Sequence, residues 1–129
     1  VMSDVKILIV SQYRNALERY TLEIPAGGLN PEEATDTAAA RELEEETGYA
    51  SGDLELLLSL RTTVAFCNEK IDSYVAKNLV KTQQHLDEDE YLNVGAYTLT
   101  ELEELIFDGK IQDSKTIAAL MAYKVKYGI

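Results

Sequence analysis

The residues best suited to chemistry are concentrated in one short stretch, RELEEETG, running from Arg41 to Gly48. It carries Glu42, Glu44, Glu45 and Glu46, interrupted only by Leu43. A helix advances about 100° per residue, so Glu42, Glu45 and Glu46 share one face. Three carboxylates on one face make a hard oxygen-donor cluster, the kind that takes Mg2+ or Mn2+. Glu44 falls off that face and reads as solvated. Arg41 stands beside the cluster and can steady a carboxylate through a bidentate contact. Glu33, two turns earlier, is better placed to orient a ligand than to be one. A run of glutamates is ordinarily just a solvated surface. Here the run follows Pro25-Ala26-Gly27-Gly28 and stops at Gly48, and the spacing between these points argues for cations on the face.

The elements that would position these residues can be read along the chain. VKILIVSQYR, Val5 to Arg14, is rich in β-branched residues and reads as a buried strand, with a second strand near Tyr20 to Ile24. PAGGLNPEE holds both prolines and two adjacent glycines and is a loop. Pro31 suits the first turn of a helix with Asn30 as its N-cap, and Gly48 suits its C-terminal stop. Strands are expected at about Leu54 to Val64, Lys70 to Val80 and Leu92 to Leu99, with an acidic loop, KTQQHLDEDEY, between the last two. Thr100 and Glu103 form a capping box for a short helix ending at Gly109. A final amphipathic helix follows, capped by Asp113 and closed by Gly128. This order predicts a mixed α/β (α+β) architecture, helices against a curved, mixed sheet.

The 129 residues suffice for one domain with its own core, and no internal repeat or linker divides residues 1–129. Twelve Lys plus Arg against 23 Asp plus Glu give a net charge of -11, the wrong sign for a nucleic-acid binder. A phosphorylated substrate would need local offset of that field, for which divalent cations are the usual means. No apolar run is long enough to span a membrane. Cys67 is the only cysteine, which excludes an intrachain disulfide and makes a reduced, cytoplasmic setting the expectation.

From Gly27 the pattern runs Gly, five residues, Glu33, seven residues, then RELEEETGY ending at Tyr49. It resembles the signature of the Nudix hydrolase family at every defined position. The flanks are similar to the ADP-ribose pyrophosphatase branch: QYR (Gln12 to Arg14) before LEIPAG (Leu22 to Gly27), DEDE (Asp87 to Glu90) before a strand, and GKIQDSKTIAAL (Gly109 to Leu120). In TVAFCNE, Thr63, Val64 and Ala65 stand where that branch carries Ser-Pro-Gly, and Glu69 is retained.

The resemblance implies a single Nudix domain that hydrolyses, with Mg2+, the diphosphate linkage of ADP-ribose or a related nucleoside diphosphate sugar. The products would be a nucleoside monophosphate and a sugar phosphate. It implies metal ligands at Glu42, Glu46 and Glu45, with the Ala26 carbonyl as a further oxygen. It puts the general base on the DEDE loop, where Glu88 and Glu90 are both candidates, Glu88 favoured as base and Glu90 as the residue nearer the metal. Glu45 and Arg41 complete the catalytic candidates, and Arg14 and Glu69 are the substrate-binding ones. It also implies a homodimer, a small-molecule nucleotide substrate, and no nucleic-acid or membrane partner. In that branch an extra N-terminal sheet helps clamp the adenine; the 26 residues before Gly27 are too few for it and two core strands, so loose selectivity is expected. The other readings are a housecleaning hydrolase of nucleoside triphosphates or dinucleoside polyphosphates, and a non-catalytic Nudix-fold nucleotide-binding domain. Such binding domains usually lose the signature glutamates, all of which are present here.

Overall fold

Ile7–Arg14 (β1) is the centre of the fold, and its sequence explains why. In ILIVSQYR, Leu8, Ile9 and Val10 are buried in succession, so side chains alternating to opposite faces are covered on both. The computed structural model describes residues 1, 6–65, 68–83 and 92–129. β1 pairs antiparallel with Arg19–Glu23 (β2) on one side and Leu92–Tyr97 (β7) on the other. Between them in sequence lie Thr35–Thr47 (α1), Tyr49–Ala50 (β3), Asp53–Arg61 (β4), Lys70–Lys77 (β5) and Val80–Lys81 (β6). β4 and β5 form an antiparallel hairpin with a register irregularity between Leu56 and Leu58, and β3 pairs with β6. Leu99–Phe107 (α2) and Ser114–Tyr127 (α3) close the chain.

The two faces of β1 go to different helices. Ile9 packs into a core with Leu102 of α2, Ile111, and Leu120 of α3, joined by Leu22, Ile24, Ile117 and Met121. On the other side α1 lies against β1, β4, β5 and β7. Helices on both sides of a sheet give the α+β architecture the sequence predicts. Every strand pairing among the described residues is antiparallel. Leu102 is fully buried at the point where α2 meets the sheet. Leu102→Ala is therefore expected to cost about 2–5 kcal/mol, through lost burial plus the cavity left behind. Urea unfolding of the two proteins measures it, and a loss below about 1 kcal/mol would contradict this core.

Three local expectations need correction. α1 begins at Thr35, with Ala34 at its N-cap and no side-chain cap, so Asn30 and Pro31 precede the helix. The reason is a turn: Glu32 is left-handed (φ 62°), the Glu33 N–H donates to the Asn30 carbonyl, and the Asn30 N–H donates to the Glu33 carboxylate. The α2 cap lies two residues earlier than the Thr100 box, at Thr98, whose hydroxyl accepts from the Glu101 N–H. The same Thr-x-x-Glu spacing occurs twice in TLTELE, and the first instance is the one that faces the helix start. The short strand β3 has no counterpart in the sequence reading, and the strand expected over Lys70 to Val80 is split: β5 ends at Lys77, Asn78 is left-handed (φ 53°), and β6 begins at Val80.

Candidate active site

α1 delivers its carboxylates to one place because its C-terminal stop is fixed and its acidic face rests on the Ala26-Gly27 backbone. At the C-terminus Gly48 adopts φ 74° and its N–H donates to the Glu44 carbonyl, a left-handed stop that glycine adopts without Cβ strain. On the acidic face, a Cβ on Gly27 would sit 2.1 Å from the Glu42 carboxyl carbon, so only glycine lets that carboxylate lie over the loop. Glu46 is 4% exposed, and its Oε2 accepts from the Ala26 N–H at 2.8 Å. Glu42 and Glu46 are thus both seated against the Ala26-Gly27 backbone.

Arg41 is the organiser of the cluster. Its Nε and Nη2 donate to the two oxygens of Glu33 at 2.9 and 3.0 Å, and Nη2 also donates to the Gly28 carbonyl at 2.8 Å. Nη1 donates to Glu42 at 2.7 Å and to Glu45 at 3.2 Å. The hydrogen bond from Arg41, reinforced by the Asn30 N–H, holds the Glu33 carboxyl below the usual carboxylate range. The hydrogen bond to Glu33 outweighs burial and, with Glu42, keeps the Arg41 guanidinium firmly protonated. Glu45 is the most exposed of the three face carboxylates, its side chain 40% accessible.

In this arrangement no group of three or more Asp, Glu, His or Cys side chains among the described residues is gathered tightly enough to hold a metal ion. Arg41 bridges Glu42 and Glu45, placing a cation between like charges one turn apart that would otherwise repel. The donor chemistry nevertheless fits a hard divalent cation: carboxylate oxygens of Glu42 and Glu46 beside the Ala26 backbone, with no nitrogen or sulfur donor in the set.

The cluster opens onto a cleft of about 1300 Å³, also lined by Arg14, Glu69, Tyr74 and Lys115. Arg14 does not stand alone there. Its Nε and Nη2 form a bidentate pair with the oxygens of Glu23, at 2.8 and 2.7 Å. Glu69 accepts from the Thr62 hydroxyl at 2.8 Å, and Arg61 donates to the Asn68 carbonyl at 2.6 Å. Tyr74 bonds the Thr35 hydroxyl, whereas Tyr13 stacks edge-on against Tyr20 on the exposed β1–β2 hairpin. Glu88, Glu90, Phe66, Cys67 and His85 lie outside the described residues.

The NUDIX domain family model matches residues 1–120. The chain belongs to the Nudix family. Among its curated relatives, a methanol dehydrogenase activator of Bacillus methanolicus is 43% identical over 93% of this chain and 66% of its own length. An ADP-ribose pyrophosphatase of Bacillus subtilis is 36% identical over 98% and 69%, respectively. A crystal structure of an ADP compounds hydrolase superposes with a TM-score of 0.87 at 27% identity, covering 95% of this chain and 66% of that one. This Nudix chain thus spans about two thirds of the length of these relatives. No helix among its described residues is long and apolar enough to cross a membrane.

One part of this Nudix site escaped the sequence reading. Glu23 is 3% exposed and is met by Arg14, by Lys115 at 2.8 Å and by the Thr21 hydroxyl. Burial pushes its carboxyl up, but the hydrogen bonds from Arg14, Lys115 and Thr21 outweigh burial and hold it at about 2. A carboxyl depressed in the folded state stabilises the fold fully above its ordinary value of 4.5, and that stabilisation fades as pH falls through about 2. The stability advantage of the parent over Glu23→Gln is expected to be about 3 kcal/mol at neutral pH and to shrink steadily below pH 4.5. Denaturant unfolding of both proteins across that range measures it. A difference independent of pH would contradict the ion-paired state.

Proposed function

We propose that this protein hydrolyses the diphosphate linkage of ADP-ribose or a related nucleoside diphosphate sugar, releasing a nucleoside monophosphate and a sugar phosphate. The observation that carries the reading is the seating of Glu42 and Glu46 on the Ala26-Gly27 backbone, at a cleft that Arg14 also lines. Relatives named ADP-ribose pyrophosphatase and ADP compounds hydrolase, matched over nearly all of this chain, support the substrate class. Glu42, Glu46 and the Ala26 carbonyl, with Glu45 beside them, would hold a divalent cation, Mg2+ or Mn2+. Bound there, such an ion supplies charge neutralisation at the diphosphate and a more acidic water.

The chain's own residues do the rest. Arg41 fixes Glu42 and Glu45 against each other and against the Gly28 loop, so the carboxylates are oriented before substrate arrives. Arg14 presents a guanidinium edge to a substrate phosphate while Glu23 holds its other edge. Glu69 faces the same cleft as a further polar contact for the substrate. A water oxygen attacks phosphorus, the bridging P–O bond breaks, and the water proton passes to the carboxylate of Glu88 or Glu90. The working form is a homodimer in a reduced, cytoplasmic setting.

The test is an assay of ADP-ribose, ADP-glucose, GDP-mannose, a nucleoside triphosphate and a dinucleoside polyphosphate, with and without Mg2+. Release of AMP and ribose phosphate from ADP-ribose is expected; pyrophosphate released from a triphosphate at higher kcat/KM would replace this reading with the housecleaning one. Light scattering on the same sample should give twice the mass of the chain. A second reading, activation of a dehydrogenase, is favoured by the 43% identical relative named for that role. It predicts a faster methanol dehydrogenase when this protein is added, which the same preparation can check.

A further inference from the structure

The N-terminal turn of α3, Asp113 to Thr116, grips the segment on which the site is built. The Thr116 side chain is fully buried; its hydroxyl accepts from the Ile24 N–H at 3.1 Å and donates to Asp113 at 2.6 Å. Two residues further, the Ala26 N–H is bound by Glu46. The segment that leaves β2 is thus bonded both by α3, at Ile24, and by α1, at Ala26. Lys115 completes the grip. Its ammonium donates to Glu23 at 2.8 Å and to Asp113 at 2.9 Å, with its side chain 15% exposed. Glu23 Oε1 receives both this ammonium and Nη2 of Arg14.

We propose that Lys115 is a positioning residue for the hydrolysis, acting through Glu23 to set the place and the effective charge of the Arg14 guanidinium. The proposal rests on the functional reading above. Its basis is a local charge balance. Arg14 and Lys115 face Glu23 and Asp113, two cations against two anions; Glu23 and Lys115 are largely withdrawn from water, while the Arg14 side chain stays 43% accessible at the cleft. Without Lys115 the group is net negative at the edge of a cleft that must admit a diphosphate, in a chain of net charge -11. Glu23 would then rely on Arg14 alone, and the guanidinium would be drawn back to it. A residue that merely propped up α3 would change stability and leave affinity for an anion untouched.

The experiment measures kcat and KM for ADP-ribose in the parent, Lys115→Met, Lys115→Arg, Asp113→Asn and Arg14→Gln, with folding checked by circular dichroism. Lys115→Met is expected to raise KM roughly tenfold while kcat at saturation stays within about threefold, the pattern of lost uniform binding. Lys115→Arg should recover most of the loss. In the Arg14→Gln background, Lys115→Met should change KM by less than about twofold, because its effect passes through Arg14. Asp113→Asn keeps a good helix cap and leaves the cluster one charge more positive, so KM should fall. A folded Lys115→Met with unchanged KM, or with the same rise in KM when Arg14 is already removed, overturns the proposal. If Lys115→Met does not fold, Asp113→Asn decides, and an unchanged or higher KM overturns it. A parent that cannot hydrolyse ADP-ribose sinks the functional reading and this proposal together. A parent that does, with variants that do not move, sinks only the role of Lys115.

Discussion

Glu46→Gln is expected to lower kcat by at least about a thousandfold while the protein stays folded. Glu46 is the most buried of the α1 face carboxylates, and it is fixed by the Ala26 N–H rather than by a mobile side chain. The amide keeps the shape and can still accept that hydrogen bond, so the backbone of the loop should not move. What is lost is one negative charge at the position proposed to hold the cation. Removing it weakens cation binding and the acidification of the attacking water together, and both act on the chemical step. The measurement is kcat at saturating substrate across a Mg2+ titration, with thermal unfolding as the control. A near-parental rate at saturating Mg2+ would sink the assignment of Glu46. A partial recovery at high Mg2+ would support it, since excess ion offsets a weakened site by mass action.

How much of this was legible in the sequence depended on how local each feature is. The acidic face of α1 and its stop at Gly48 follow from helical period and from the one residue that adopts φ 74° without strain. Asp113 and Gly128 as the caps of α3 follow from the same kind of short-range chemistry. The start of α1 did not. Asn30 and Pro31 carry a helix-start signature, but Glu33 is committed to Arg41 and to the Asn30 N–H, so those residues form a turn and the helix waits until Thr35. β3 and β6 are two residues each, too short to show an alternation, and exist because Tyr49 and Lys81 meet across the fold. The Glu23 cluster was invisible for another reason. Lys115 is 92 positions away from Glu23, and only the packing of α3 against the β2 end brings them together. A glutamate at the end of a predicted strand reads as a surface charge until its partners are known.

The largest remaining effect concerns the proton acceptor. Each carboxylate lining the described cleft already has an oxygen engaged: Glu42 and Glu45 by Arg41, Glu46 by the Ala26 N–H, Glu69 by Thr62, Asp72 by Ser59, and Asp113 by Lys115 and the Thr116 N–H. A general base needs an oxygen that can turn to a water and take its proton, and donors fixed on the carboxylate oppose this. The resemblance to the ADP-ribose pyrophosphatase branch gives that role to Glu88, with Glu90 as its neighbour, and the engaged oxygens of the described cleft are consistent with it. Glu88→Gln is expected to lower kcat by about a hundred- to ten-thousandfold, the usual span for loss of a general base. It should leave the Mg2+ concentration for half-maximal rate close to that of the parent, whereas Glu46→Gln should shift it. Glu90→Gln, if Glu90 stands nearer the cation, should shift that concentration as well as the rate. The pair of readouts separates proton transfer from cation binding, which rate alone cannot do. Full activity in both single variants and in the double variant would move the base off Glu88 and Glu90, and Glu69, which lines the same cleft, would be the next carboxylate to substitute.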